Sequence, residues 1–172
     1  MKLLVIDIQK GITDNRLFNF EAFIDNTTRI INAARDNQIE VIYFQHDDGP
    51  GTGFSIGDKD FEIAEQVIPK DKEKIFIKNI NSCFGNKDFA DYVKNDNTLM
   101  IIGLQTNFCI DATVKSAFER GYKVIVPQGA NSTFANDYMT GEMTYKYYND
   151  MMWPKRFATC VSVDEAIKLM ES

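Results

Sequence analysis

Asp7, Lys78 and Cys109 are residues of the types that nucleophilic catalysis uses: a base, a charge-tuning cation and a thiol. Cys109 falls in the first turn of a stretch that reads as an amphipathic helix, residues 106–120, directly after the apolar run Thr98–Leu104. A thiol in that place has uncapped backbone N–H groups and the positive end of a helix dipole beside it. Both favour the thiolate, which is the reactive species. Each residue alone has a plainer reading. A buried cysteine packs as a small hydrophobe, a carboxylate at a strand end caps the next segment, and most lysines are solvated. On one rim the three make a different unit: Cys109 attacks, Asp7 takes and returns the proton, and Lys78 holds Asp7 ionised and favours the thiolate.

The elements that must position them are legible as alternating strands and helices. Residues 2–7 form a continuous apolar run ending in Asp7, the pattern of a strand buried on both faces. Phe20–Asp36 is helical, with Phe23, Thr27, Ile30, Ile31 and Ala34 on one face. Strands are expected at 40–45, Lys74–Lys78, Thr98–Leu104, 122–127 and 157–161, with helices at 87–94, 106–120 and 141–151. Ser162 and Glu165 make a capping box for a last helix, Val163–Met170. The Gly-rich segment 46–60 is long enough to suggest a functional loop. The expectation is a single-domain, three-layer α/β/α protein with a mostly parallel, doubly wound, six-stranded sheet. In such sheets ligands bind beyond the carboxyl ends of the strands. Asp7, Lys78 and Cys109 all fall there.

Composition narrows the classes. Hydrophobic residues at 44% and charged residues at 26% of the 172 describe an ordinary globular chain. A net charge of −6, with no Lys/Arg cluster, argues against a nucleic-acid partner. No apolar run approaches the roughly 18 residues of a membrane span. The opening Met-Lys-Leu-Leu-Val-Ile-Asp7 turns acidic without a small-residue cleavage site, so it reads as a strand and not a leader. Cys83, Cys109 and Cys160 are an odd, widely spaced set, as expected of a reducing cytoplasm.

Four fragments, in order, carry a family resemblance: Val5-Ile6-Asp7-Ile8-Gln9; Ile77-Lys78 with Ser82-Cys83-Phe84-Gly85; Gly103-Leu104-Gln105-Thr106-Asn107-Phe108-Cys109-Ile110; and Gly121-Tyr122-Lys123-Val124. Over nearly the whole chain the sequence resembles the isochorismatase-like cysteine hydrolases, which include nicotinamidases and N-carbamoylsarcosine amidase. The resemblance implies an Asp7–Lys78–Cys109 triad and a cis peptide between Leu104 and Gln105. It also implies an oxyanion hole made by the backbone N–H groups of Gln105 and Cys109. Gln9, His46, Phe84 and Leu104, with the 46–60 loop, are expected to wall a small-molecule pocket. The family's habit, and the aromatic and Met load at 145–154, suggest a homodimer or homotetramer.

Departures from the family pattern shape the expected chemistry. Nicotinamidases hold a metal through an aspartate and several histidines, whereas His46 is this chain's one histidine, followed by Asp47 and Asp48. No metal and no cofactor are therefore expected. Isochorismatases of siderophore synthesis cleave a vinyl ether and lack the cysteine. Retention of Cys109 points instead to C–N hydrolysis of an amide or ureido group through a thioester. Two alternatives stay open: a thiol-redox protein using Cys83 and Cys109, and a non-catalytic family member that acts as a binding or partner protein.

Overall fold

The computed structural model describes residues 1–171. Five strands of four or more residues form the frame: β1 (Lys2–Ile6), β2 (Glu40–His46), β3 (Lys74–Lys78), β4 (Thr98–Leu104) and β5 (Lys123–Pro127). Two short ones follow, β6 (Asn131–Ser132) and β7 (Thr159–Val161). The sheet order is β3-β2-β1-β4-β5-β7, with β6 beside β4, and every strand pairing is parallel. The sequence reading had six of these strands; β6 is too short for a periodicity to show.

The helices are α1 (Phe20–Asp36), α2 (Lys87–Val93), α3 (Asp111–Glu119), α4 (Gly141–Lys146) and α5 (Val163–Met170). The buried face of α1 is Phe23, Thr27, Ile30, Ile31 and Ala34, as its spacing predicts. The Ser162–Glu165 capping box starts α5. Alternation along β1 builds two cores. Leu3 and Val5 join residues of α1 and α5 on one face, and Leu4 and Ile6 join residues of α2 and α3 on the other. Trp153 is fully buried in the second core, where its indole N–H donates to Asp111 Oδ1 at 2.9 Å. Among the described residues no helix is long and apolar enough to cross a membrane.

The order of strand addition reverses at β1, with β2 on one side and β4 on the other. That is the switch point at which a crevice opens beyond the strand ends. Glycine is required beside it. Gly103 has φ +126°, and a Cβ there would lie 2.0 Å from the Ile6 carbonyl oxygen. The close approach of β4 to β1 thus depends on a residue without a side chain.

Candidate active site

Asp7 leaves β1 with φ +52°, in the left-handed region. For a residue with a Cβ this costs about 1–3 kcal/mol and persists where surrounding structure enforces it. Its amide donates to the Phe44 carbonyl at 3.1 Å, so β2 holds the turn. Lys78 ends β3, which lies beyond β2 from β1. Its ammonium lies 2.7 Å from Asp7 Oδ2, 3.0 Å from His46 Nδ1, 3.2 Å from the Ile80 carbonyl and 3.3 Å from Cys109 Sγ, four acceptors that share its three hydrogens. All three side chains are buried: Asp7 is 1%, Lys78 3% and Cys109 8% exposed. The ammonium is the hub of the group.

The Leu104–Gln105 peptide at the end of β4 is cis. Residues 106–120 do not start as an α-helix. Thr106–Ile110 is a π-turn, and α3 begins only at Asp111. The Gln105 carbonyl accepts from the N–H groups of Phe108 and Ile110, at 3.1 and 3.2 Å. Gln105 Oε1 accepts from the Thr133 hydroxyl at 3.0 Å, which ties the turn to the residue that follows β6. Widened turns of this kind are frequent at functional sites.

Burial changes the charge state expected from the helix end. It pushes the Cys109 thiol up to about 12, with the Asp7 charge adding to the effect and Lys78 opposing it. Burial also raises Asp7 above the ordinary carboxylate range, against the pull of Lys78. For Lys78, burial is outweighed by Asp7 and the two nearby thiols, so its ammonium is held more firmly than usual. The resting thiol is therefore protonated, contrary to the expectation of a favoured thiolate. One buried positive charge is balanced by one negative charge, and that charge can sit on Asp7 or on Cys109. Moving a single proton between them conserves the neutrality of the pair, whereas losing it to solvent leaves a second buried anion.

A cleft of about 350 Å³ opens over these groups, lined by Asp7, Ile12, His46, Asp48, Phe54, Leu104, Gln105, Phe108 and Cys109. His46 and Leu104 stand where the sequence placed them, on the wall. Gln9 and Phe84 do not line this cleft. Gln9 is fully buried, donating to the carbonyls of His46 and Phe61 and accepting from the His46 N–H. It clamps the end of β2 and has no polar atom left for a ligand. Phe84 is packed in the second core against Phe89 and Tyr122. Ile12 and Phe108 were missed. Phe108, 52% exposed beside a buried cysteine, had a signal in its position; Ile12 had none.

The whole arrangement has relatives. The isochorismatase domain model matches residues 2–165. This chain belongs to the isochorismatase family. An uncharacterized isochorismatase family protein of Bacillus subtilis, YddQ, is 32% identical over 138 residues, 76% of this chain and 77% of its own. Streptothricin hydrolase of Streptomyces noursei is 24% identical over 136 residues, covering 77% of this chain and 54% of that protein. The crystal structure of an isochorismatase family protein superposes with a TM-score of 0.85 at 27% identity, covering 94% of this chain and 97% of that one.

Family membership raises the question of a metal beside Asp7, Lys78 and Cys109. In this isochorismatase-family chain Asp7, His46 and Cys109 each offer one ligand atom, all within 4.8 Å of one another. The Lys78 ammonium stands among them, 2.7 Å from Asp7, 3.0 Å from His46 Nδ1 and 3.3 Å from Cys109. It takes the lone pairs a metal would use and repels a second cation. The remaining ring nitrogen, His46 Nε2, meets Asp48 Oδ1 at 3.1 Å. One imidazole and one exposed carboxylate are fewer donors than a catalytic zinc or iron site uses. The residues present do not fit a resident metal. Cys83, the other cysteine of the redox alternative, is a fully buried free thiol whose amide donates to the Thr113 hydroxyl at 3.1 Å.

Proposed function

We propose that this protein is a metal-independent cysteine hydrolase that cleaves an amide or ureido C–N bond of a small molecule through a thioester. The observation that carries the reading is the buried Lys78 ammonium, within hydrogen-bond reach of both Asp7 and Cys109 beneath the cleft. Substrate enters between Phe54, Phe108 and Ile12. The Cys109 proton passes to Asp7 as sulfur attacks the carbonyl carbon, and Lys78 stabilises the anion on either side of the transfer. The carbonyl oxygen becomes an oxyanion that the N–H groups of Gln105 and Cys109 hold; one such donor is typically worth roughly 2.7–4 kcal/mol of barrier. Collapse breaks the C–N bond, and Asp7 gives its proton to the departing amine. Water, deprotonated by Asp7, then hydrolyses the thioester, returning the acid product and the free thiol. A relative named as a hydrolase, that of streptothricin, supports a hydrolytic reading.

Iodoacetamide at neutral pH tests the nucleophile. Cys109 should be alkylated faster than free N-acetylcysteine, with the mass increase lost in Cys109→Ala, and turnover of an amide substrate should be cut roughly 100-fold or more in Asp7→Asn, which removes the proton carrier. Labelling no faster than the free thiol would sink the reading. An ammonia-release screen over primary amides and ureido compounds then identifies the substrate.

A further inference from the structure

The cleft has a charge pattern that the triad does not use. A row of hydrogen bonds runs outward from the nucleophile: Cys109 to Lys78, Lys78 to His46 Nδ1 at 3.0 Å, and His46 Nε2 to Asp48 Oδ1 at 3.1 Å. An ammonium has donors only, so His46 Nδ1 accepts from Lys78 and Nε2 carries the hydrogen donated to Asp48. Asp48 therefore receives a hydrogen bond from the ring. Among the described residues no Lys or Arg lies within ion-pair distance of it. The charge of Lys78 is matched by Asp7. None of the residues lining the cleft is Lys or Arg, and the walls are apolar: Ile12, Phe54, Leu104 and Phe108.

Asp48 is also held in place. Its N–H donates to the Phe54 carbonyl at 3.0 Å, joining the two sides of the 47–54 loop. The neighbouring Asp47 accepts from the Gly49 N–H at 2.8 Å. One carboxylate at the mouth, 53% exposed, and one aromatic wall are thus presented together to whatever enters. A cleft lined by a single sign of charge raises the local concentration of the opposite sign and disfavours its own.

We propose that Asp48 sets the substrate charge: this cleft takes an amide carrying a cationic amine beyond an apolar or aromatic body, and rejects carboxylate-bearing amides. The inference rests on the amidohydrolase reading of the same cleft and names its substrate class. The ring packs between Phe54 and Phe108 with the amide carbonyl toward Cys109, and the ammonium reaches Asp48 at the mouth. A carboxylate in the same pose meets Asp48 with no cation to receive it.

Three probes of one shape test it: 4-(aminomethyl)benzamide, benzamide and 4-carbamoylbenzoate. Calorimetric titration into Cys109→Ala, which removes turnover, should rank them cation, neutral, anion, with the cation bound roughly tenfold or more tighter than the anion. Adding Asp48→Asn should remove that preference, and Asp48→Lys should reverse it. Asp48 is half exposed, so neither change threatens folding. Equal affinities, tighter binding of the carboxylate, or no binding of any probe overturns the proposal. Iodoacetamide labelling of the unmodified chain is read separately. A reactive Cys109 with no charge ranking removes the role of Asp48 alone, and a charge ranking over an inert Cys109 removes the hydrolase chemistry alone.

Discussion

Two buried polar clusters flank the turn at 105–110, and they are built on opposite terms. Behind the turn, Thr106, Asn131 and Asn149 form a neutral cluster. Thr106 donates to Asn131 Oδ1 at 2.7 Å, the two amides exchange hydrogen bonds at 2.9 and 3.0 Å, and Asn149 donates also to the Tyr145 carbonyl. Every side-chain oxygen and nitrogen in it has a partner. In front of the turn lies the charged cluster, and there Asp7 Oδ1 is buried without a hydrogen-bond partner. An unpaired buried acceptor is costly, and such atoms are few in folded proteins. In the neutral cluster no group has a reason to move a proton. In the charged one, Asp7 has a lone pair to spare beside a thiol that cannot release its proton to water. The comparison separates polar groups that fix a turn from polar groups that can react through it.

Removing Lys78 should show the largest effect. Lys78→Met leaves Asp7 as an uncompensated buried carboxylate, which typically costs about 3–5 kcal/mol. Urea unfolding at neutral pH reads this cost, and Cys109 labelling by iodoacetamide should fall to the rate of an ordinary buried thiol. A variant that labels like the parent chain would mean that the ammonium has no part in generating the nucleophile, and the contrast between the clusters would lose its basis.

Titration is the next test, and its sign is set by burial. The folded Cys109 thiol is raised from 9.0 to about 12. A group raised in the folded state holds its proton more tightly there, so its contribution to stability is full below pH 9 and is lost as pH rises toward 12. Denaturation temperature should therefore fall across that window, less steeply in Cys109→Ala than in the parent chain. Cys160, raised to about 11, contributes to the remaining slope in both proteins. Identical slopes would show that Cys109 is not held as a buried thiol.

Much of this was legible in the residues. The order of strands, the inward face of α1 and the capping box of α5 follow local periodicity and short-range hydrogen bonding, which a chain carries in itself. The rim position of Asp7, Lys78 and Cys109 followed from strand ends. Other features depended on partners far away in sequence. The π-turn at Thr106–Ile110 differs from an α-helix only in which carbonyl each N–H chooses. Gln9 is a pocket wall on the family resemblance alone, yet the backbones of His46 and Phe61 consume its amide. The helix-end argument for a thiolate considered a dipole and left out desolvation, which is the larger influence on Cys109.

The neutral cluster should respond by stability and not by reactivity. Asn131→Ala strands the Thr106 hydroxyl and the Asn149 amide, at about 1–3 kcal/mol for the lost partners. Labelling of Cys109 should stay within roughly tenfold of the parent rate, because the charged cluster keeps all its contacts. If labelling falls as far as in Lys78→Met, the two clusters act as one unit.

The finest test is Thr106→Val, which deletes one hydroxyl and nearly conserves volume. Asn131 Oδ1 still accepts from Asn149 Nδ2, so no buried acceptor is left empty. The expected cost is about 1 kcal/mol, that of one neutral hydrogen bond, read as a small drop in urea midpoint at constant slope. Thr106 opens the turn that carries Cys109, so its side chain is the shortest link between the neutral cluster and that turn. Unchanged labelling with that small loss would show that the turn is held by its own backbone bonds to Gln105 and by Thr133. A larger loss of labelling than of stability would place the hydroxyl among the groups that aim the oxyanion donors, and the line between the two clusters would have to move by one residue.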